Sequence, residues 1–508
     1  MSESSTLTCC KCGSDLTRPD IKNEEFPDLL DIDSNHVLPA AQSDIVHNAI
    51  SKAFRDVSQI DQEILRFEAI LAKLRLKRAE RQDNAVTLKA FVSPIRRVPP
   101  EIITEIFLIC TSGCPTSPPR LAAICSRWRS IALSSPHLWS SLSLVLQSER
   151  LPSQTAFADM WLSHTAQLPL SIDLRGKEEN DDIKSVIEVV VARCEQWQTV
   201  HLSLPTKLLN FLLGAAGRLH NLKELTFDDM SWQTADTSII FATALKLNSL
   251  KIYGLDLDDP IPQLPWKQLE TLEIYGNLST RACLDMLKLT PNLLDCRILG
   301  RFLPGTTTHS IVTLPVLQLM ALVLDQHSYA TQFLSAMCLP ALQDLYLYSL
   351  PGLTDMVAGA LISLVSGGHL VGLTLGLEAP ATETTRANVI AILRAIPTLQ
   401  ELSLTQDSAK ILSPAFRDNF NAPDAHLVPD LQKLVINCQA HYVINTVVIL
   451  EMVEGRLPPN NHLKRVVLRN LIPSMANPIK NRLRQIRDSG IDVQVSLMGD
   501  TPIDLDSL

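Results

Sequence analysis

The sequence is poor in aromatic residues, glycine and charge. Only 5% of the 508 residues are aromatic, 18 are glycine and 19% are charged. The glycines form no G-x-x-x-x-G-K-[ST] loop and no G-x-G-x-x-G turn, so the usual signals for nucleotide binding are missing. A G-x-S-x-G elbow and an H-E-x-x-H pair are missing too, and the 12 histidines are dispersed. We therefore expect a protein that is not an enzyme and that needs no cofactor or metal.

The sequence also lacks targeting signals and basic clusters. No uninterrupted apolar run of about 18 residues occurs, so no membrane span is expected. The polar start MSESSTLTCCKCGSD does not resemble a signal peptide. The net charge of -9 argues against nucleic acid as the main partner, because phosphate binding needs clustered Lys and Arg. These features predict a cytoplasmic or nuclear protein without membrane or nucleic-acid partners.

The 11 cysteines are scattered and odd in number, which is typical of reduced intracellular thiols. Cys9 and Cys12 have C-x-x-C spacing, with Cys10 between them, but no second pair follows nearby. A structural zinc needs four ligands. Two interpretations stay open for the polar residues 1–44: a disordered tail with exposed thiols, or a metal half-site completed by another chain.

Residues 45–90 carry a heptad pattern. Apolar side chains recur every seventh residue at two seam positions over about four heptads. The seam residues are Ile50, Ala53, Val57, Ile60, Ile64, Phe67, Leu71 and Leu74. This period of 3.5 predicts a coiled-coil helix that forms a homodimer through residues 46–76. The alternative is a single amphipathic helix packed on the rest of the protein. Arg78 and Arg81 occupy the next two seam positions and interrupt the stripe.

Residues 91–145 predict a small helical module. Pro99 and Pro100 precede EIITEIFLIC, and proline is favoured in a first helical turn. A Pro-rich break separates this helix from a second one, RLAAICSRWRSIAL, and SSPHLW ends the unit. About fifty residues bury only a marginal core, so a wide apolar face in such a module points to a partner.

From about residue 195 the template L-x-x-L-x-L repeats eleven times. Successive units begin 22 to 32 residues apart. The units start at residues 197, 222, 247, 269, 293, 317, 342, 370, 399, 431 and 463. Helix-like stretches such as LTDMVAGALISLV lie between them. A short strand and a helix in each unit predict stacked repeats with parallel strands, because one repeat cannot bury its own apolar face. LPLSIDL near 168 and IDVQVSLM near 491 are predicted to be opening and closing strands.

Together these patterns predict an α/β fold: a leucine-rich-repeat solenoid, or horseshoe, preceded by a small helical module and a coiled-coil helix. The expected segments are a tail over 1–44, the coiled coil over 45–90, the module over 91–145, the repeats over 146–498 and a loose acidic tail over 499–508.

The segment SPIRRVPPEIITEIF…RLAAICSRWRSIALSSPHLW resembles an F-box, in particular those of mushroom-forming fungi. Chains of that group begin with a C-x-x-C-G-like tail and a heptad helix, and their F-box precedes leucine-rich repeats. The resemblance implies a substrate-recognition subunit of a Skp–Cullin–F-box ubiquitin ligase, which binds the Skp adaptor and an unknown target protein. The alternative is a leucine-rich-repeat scaffold without ligase coupling. The adaptor-facing candidates that the resemblance implies are Pro99, Pro100, Ile102, Ile103, Ile106, Leu121, Ile124, Cys125, Trp128 and Ile131.

Alternation along each strand predicts a target-binding face. The third and fifth template positions, and the residue after the sixth, point to one side of the sheet. Four of the six tyrosines fall on this side. The candidate target-binding residues are Lys251, Tyr253, Glu273, Tyr275, Arg297, Tyr346 and Tyr348. Tyrosine is enriched at interfaces, but it is also a good strand former, and both explanations stay open. Lys251 and Arg297 flank the first tyrosine pair and indicate an acidic or phosphorylated target, although Glu273 between them weakens that field.

Overall fold

The computed structural model describes most of the chain from residue 40 onward. The described ranges are 40–112, 118–178, 180–228, 239–256, 263–300, 311–323, 327–350, 353–377, 382–405, 427–437, 462–471 and 477–497, with 261, 302–303, 408, 450, 453–454 and 502–503. The predicted Cys9–Cys12 motif and most of the two predicted tails lie outside these residues. Most of the helix-like stretch VINTVVILEMV also lies outside them.

The chain divides into two units, residues 1–102 and residues 103–508. The helices are α1 Ala40–Phe91, α2 Pro100–Ser112, α3 Pro118–Ala122, α4 Ser126–Leu133, α5 Leu151–Ser163, α6 Lys184–Val191, α7 Thr206–Leu209, α8 Thr280–Leu287, α9 His327–Ser335, α10 Asp355–Val365, α11 Glu383–Arg394 and α12 Asn477–Asp488. At 52 residues, α1 is about 78 Å long at 1.5 Å per residue. The continuous helix predicted over 45–90 is thereby confirmed as a helix.

The strands are β1 Ser141–Val145, β2 Leu170–Arg175, β3 Trp197–Ser203, β4 Glu224–Phe227, β5 Ser249–Asp256, β6 Thr271–Ser279, β7 Asp295–Ile298, β8 Phe302–Leu303, β9 Val312–Thr313, β10 Leu319–Val323, β11 Met337–Cys338, β12 Asp344–Leu350, β13 Gly372–Leu377, β14 Glu401–Thr405, β15 Lys433–Asn437, β16 Arg465–Leu471, β17 Asp492–Leu497 and β18 Pro502–Ile503. Among the described residues, sixteen of them form one sheet. Its order follows the chain from β1 to β7, then β10 and β12 to β18, while β8 pairs with β6. Within the described parts of this sheet, only β17 and β18 pair antiparallel.

Each of the eleven template units contains one strand of this sheet, which confirms the predicted parallel strands. The sheet nevertheless begins at Ser141, before the boundary expected at 146, because β1 pairs with β2 from Ser141↔Ser171 onward. The predicted strands near 168 and 491 correspond to β2 and β17.

One register runs through the units and places equivalent template positions side by side. At the fourth template position, Leu225 pairs with Leu250, and Leu250 pairs with Leu272. The residues at the sixth position pair with one another in the same way. These three leucines are fully buried. Burying an apolar side chain of this size contributes about 1.5–3 kcal/mol relative to exposure. The repeated leucines therefore hold neighbouring strands together through one continuous core.

Side-chain caps fix where several helices start. Ser279 accepts from the amide of Ala282 at 3.1 Å, and Thr382 accepts from the amide of Thr385 at 3.1 Å. Such caps satisfy backbone donors that have no partner within the helix. The helix α10 packs between α9 and α11. No helix among the described residues is long and apolar enough to cross a membrane.

Candidate interaction surfaces

Residues 103–139 form a helical module with its own core. Ile103 and Phe107 are each 1% exposed, one turn apart on α2. The ring of Phe107 meets Trp128 of α4 edge to face, with centroids 4.9 Å apart. The buried Trp139 donates from Nε1 to the carbonyl oxygen of Ala132 at 2.8 Å. The module is therefore packed and hydrogen-bonded internally.

Two tryptophans join this module to the sheet region. Trp161 on α5 donates from Nε1 to the carbonyl oxygen of Trp139 at 2.7 Å. The two rings also pack edge to face, with centroids 4.9 Å apart. Both residues are 1% exposed. Because Ser141 starts β1 two residues after Trp139, the module ends directly at the edge of the sheet.

The module leaves large aliphatic side chains in solvent. The exposed fractions are 39% for Ile106, 73% for Ile109 and 60% for Ile124. Ile102, in the first turn of the same helix, is 52% exposed. Ile102, Ile106 and Ile109 have the spacing i, i+4, i+7 and so share one stripe of α2. This stripe is separate from the one that buries Ile103 and Phe107.

The structure separates the ten adaptor candidates into three groups. Six are exposed: Pro99, Pro100, Ile102, Ile106, Ile124 and Cys125. Leu121 and Trp128 are half-buried. Ile103 and Ile131 were predicted to face the adaptor, but they are only 1% and 7% exposed and belong to the core of the module. Ile109 was missed, although its spacing of three residues from Ile106 could have placed it on the same stripe.

The polar face is the side of the sheet that carries the third and fifth template positions and the residue after the sixth. Lys251 lies opposite Glu273, which lies opposite Arg297. Tyr253 lies opposite Tyr275, and their rings stack at 4.4 Å with an interplanar angle of 11°. These five residues therefore lie side by side on neighbouring strands, while their role in binding a target stays a prediction.

A glycine with positive φ follows each tyrosine of the stacked pair. The φ angle is 74° at Gly254 and 153° at Gly276. Side chains other than glycine rarely adopt such values. The strand register shifts after Tyr253, so that Leu255 pairs with Gly276. The Tyr-Gly dipeptides in the sequence mark this irregularity, which ends the regular ladder just after the aromatic pair.

Glu273 is a buried carboxylate at the centre of the polar face. It is 8% exposed, accepts from the Tyr275 hydroxyl at 2.6 Å and pairs with Lys251 Nζ at 3.0 Å. Burial opposes ionisation of Glu273, but the hydrogen bonds from Tyr275 and Lys251 outweigh it and lower the pKa of this carboxyl. The hydrogen bond to Glu273, with burial, raises the pKa of Tyr275 well above its ordinary value.

Arg297 makes a two-pronged contact with Asp295 on its own strand. Its Nε and Nη2 atoms donate to the two carboxylate oxygens at 3.0 and 2.9 Å. This contact raises the pKa of Arg297 further. Both cations that were predicted to attract an acidic target, Lys251 and Arg297, are thus neutralised by carboxylates of the same face.

A second aromatic group lies on β12. The rings of Tyr346 and Tyr348 are 6.4 Å apart, and Tyr348 is 37% exposed. Burial raises the pKa of both hydroxyls. Burial also raises the pKa of the neighbouring Asp344 carboxyl, and the charge of Glu401 adds to this effect. Among the described residues, Asp344 forms no ion pair within 4 Å, in contrast to Glu273.

A polar cluster that no sequence pattern marks extends from β1 to the residue that follows β4. His201 lies between two carboxylates, with Nδ1 3.1 Å from Asp173 Oδ1 and Nε2 2.7 Å from Asp228 Oδ2. Asp173 also accepts from Ser143 Oγ at 2.8 Å and from Arg175 Nε at 2.9 Å. Ser143, Asp173 and His201 lie on three successive strands and Asp228 directly follows the fourth, so only the register reveals that they meet. Their polar groups satisfy one another.

Neither the scan against models of protein families nor the search of curated proteins found a match to this chain. Within the residues that the structure describes, no group of three or more His, Cys, Asp or Glu side chains could hold a metal ion.

Proposed function

We propose that this protein is the substrate-recognition subunit of a Skp–Cullin–F-box ubiquitin ligase. In this proposal the helical module is an F-box that binds the Skp adaptor, and the sheet region is a leucine-rich-repeat domain that binds the target on its polar face. The observation that carries the proposal is the stripe of exposed isoleucines on a module whose core is formed by other side chains, among them Ile103, Phe107 and Trp139.

The sheet region has the properties that the repeat assignment requires. Every template unit contributes one strand in the same register, and its leucines form the continuous core between units. Interactions in such arrays are mainly between neighbouring repeats. The polar positions are therefore free to form a surface without disturbing that core.

The exposed isoleucines favour adaptor binding over a purely internal role. Ile106, Ile109 and Ile124 expose 39–73% of their surface, whereas Ile103 and Phe107 already fill the core. Contiguous exposed aliphatic groups mark protein-binding sites. Burying each of them in an adaptor groove would contribute about 1.5–3 kcal/mol.

Substitution of two of these isoleucines tests adaptor docking. We expect Ile106→Asp with Ile109→Asp to reduce capture of a purified Skp adaptor more than tenfold, because the charges would have to be desolvated in the interface. The matched control is Leu213→Asp with Leu245→Asp, since these leucines are exposed to almost the same extent, 39% and 75%. Thermal unfolding followed by circular dichroism checks that both variants fold.

Adaptor capture that survives in the Ile106 and Ile109 variant at wild-type strength would refute docking through this stripe. A wild-type protein that captures a target but no adaptor would instead be the repeat scaffold without ligase coupling. These outcomes separate the ligase proposal from its alternative in one set of measurements.

The charge of the polar face between β4 and β13 indicates a basic target segment for this part of the face, rather than an acidic or phosphorylated one. From β4 to β13, five carboxylates and two cations occupy its positions. The carboxylates are Glu224, Asp228, Glu273, Asp295 and Asp344, and the cations are Lys251 and Arg297. Both cations are already paired. Cations also bind favourably to the faces of tyrosine rings, and four such rings lie on this face.

Proximity labelling with mass spectrometry tests this second surface. We expect Tyr253→Ala with Tyr348→Ala to lose the main captured protein while adaptor binding persists. Tyr329→Ala is the control, because Tyr329 lies on the helix α9 and not on the sheet. Tyr275 is left unchanged because it supports the buried Glu273. Unchanged capture by the double variant would place the target elsewhere, and an acidic bound segment would refute the charge argument.

A further inference from the structure

The seam of α1 is uncovered along its length. Its large apolar side chains are 36–57% exposed, and none of the α1 side chains that the structure describes is buried. The seam residues in this range are Ile50, Val57, Ile60, Ile64, Phe67, Leu71 and Leu74. A helix of this length with an exposed heptad seam is stabilised when a second helix covers it.

The charges beside this seam are segregated. The positions that flank it between residues 56 and 68 are all acidic: Asp56, Asp61, Glu63 and Glu68. The next charged flanking positions are basic: Arg75 and Lys77. Arg78 and Arg81 then occupy the seam itself. One end of the seam is therefore negative and the other positive.

A parallel pair of α1 helices would bring like charges together. In a parallel coiled coil, the residue directly before the first seam position of a heptad lies beside the residue five positions further along the partner helix. Asp56 would face Asp61, and Glu63 would face Glu68. The seam arginines would face their own copies, Arg78 against Arg78 and Arg81 against Arg81. Like-charge neighbours of this kind are destabilising.

An antiparallel pair replaces these contacts with pairs of opposite charge, except that Glu68 would lie beside Glu68 of the other copy at the centre of the interface. We propose that two copies of the protein associate through α1 with the helices antiparallel, so that the segment 57–81 of each covers that of the other in reverse. Phe67 then packs against Leu71 of the other copy, and Ile64 against Leu74. Glu63 lies beside Lys77 of the other copy, and Asp61 beside Arg75.

The same arrangement gives the two seam arginines suitable neighbours. Arg78 lies over Ile60 of the other copy, and Arg81 lies over Val57. The methylene groups of arginine cover apolar surface while the guanidinium stays near water and acid groups. Asp61 and Asp56 of the other copy flank these two layers. The arginines that interrupt the apolar stripe thus become part of the interface.

The size of the interface is sufficient for association. The overlap of 25 residues is about 37 Å long at 1.5 Å per residue. Its four central layers are formed entirely by Ile64, Phe67, Leu71 and Leu74 of both copies. The outer layers combine an aliphatic side chain with an arginine. Isolated helices of this length become stable mainly through such packing.

Reversing one charge should change the strength of dimer association in opposite directions for the two orientations. In sedimentation measurements on the full-length protein at low salt, we expect Glu63→Lys to weaken an antiparallel dimer about fivefold, because the introduced lysine would face Lys77 of the other copy. The same change would strengthen a parallel dimer, since the introduced lysine would then lie beside Glu68. Glu63→Lys with Lys77→Glu should restore the wild-type dissociation constant. Asp83→Lys, on the outer face of the helix, is the matched control.

Photocross-linking reads the orientation directly and does not depend on the native cysteines. A mixture of isotope-labelled and unlabelled full-length chains carries p-benzoylphenylalanine in place of Gln82. We expect cross-links between copies to residues 53–60. Cross-links to residues 74–81, tighter association of the Glu63→Lys variant, or a wild-type protein that stays monomeric at high micromolar concentration would each overturn the proposal.

Discussion

Leucine side chains are buried in the sheet and exposed in α1. Leu225, Leu250 and Leu272 of the sheet are fully buried, whereas Leu71 and Leu74 of α1 are 50% and 57% exposed. The residue types are the same, so the difference lies in the neighbours. Each strand of a template unit pairs with a strand of the neighbouring unit, and successive units start 22 to 32 residues apart. Apolar side chains therefore stabilise the fold in the sheet, whereas in α1 they are available for association.

The largest expected effect compares matched leucine truncations. Leu272→Ala should lower the free energy of unfolding of the sheet region by about 3 kcal/mol, because a cavity opens in a packed core. Leu71→Ala should change it by less than about 0.5 kcal/mol, as exposed positions usually do. Urea titration monitored by tryptophan fluorescence provides the measurement. Equal losses in the two variants would contradict the distinction between core and association surface.

A smaller effect is expected where the helical module meets the sheet. Trp161→Phe removes the donor to the buried Trp139 carbonyl and should cost about 1–3 kcal/mol. Trp197→Phe is the control, since its buried Nε1 has no acceptor among the described residues. We expect that control to lose only the packing of the larger indole ring, a cost that the Trp161 variant shares, so the difference between the two variants reports the hydrogen bond. Hydrogen exchange of the amides in α4 should accelerate only in the Trp161 variant. Unchanged protection in that variant would show that the stability of α4 does not depend on the contact between Trp161 and Trp139.

Glu273, the buried carboxylate of the polar face, should make a pH-dependent contribution to the free energy of unfolding that is similar to or smaller than the effect of Trp161→Phe. Glu273→Gln removes charge-assisted hydrogen bonds and should cost about 1.5 kcal/mol at neutral pH. The pKa of Glu273 in the folded protein is lowered, so its contribution is present above the unfolded pKa and is lost as pH falls through the folded pKa. Thermal unfolding from neutral to acidic pH should show the wild type and the variant converging. A constant difference would contradict an ionised Glu273.

Asp344 should show the smallest effect and the opposite sign. Its pKa is raised by burial and by Glu401, so the ionised form is disfavoured in the folded protein. Asp344→Asn should therefore increase stability at neutral pH by about 0.5 kcal/mol. The gain should vanish as pH falls below the unfolded pKa of the carboxyl, where the wild type also becomes neutral. A loss of stability at neutral pH would point to a cation that pairs with Asp344.

The repeats and the long helix could be predicted because both are periodic. Eleven template matches located the strands, and the alternation along them placed Tyr253 and Tyr275 on one face. Non-periodic features could not be predicted in this way. The burial of Ile103 and Ile131 depends on how two short helices pack. The contacts of His201 depend on residues 27 and 28 positions away, which only the register brings together.

The constant register also bears on how such a protein can change over time. At the start of each unit from 247 to 463, two successive backbone amides bond to one carbonyl of the preceding unit, as when the amides of Asn248 and Ser249 donate to the oxygen of Lys223. These bonds involve no side chain of the polar face. A mutation on that face can therefore alter a single contact with a partner while the scaffold persists. Recognition in this architecture can diversify one position at a time, without a compensating change in the core.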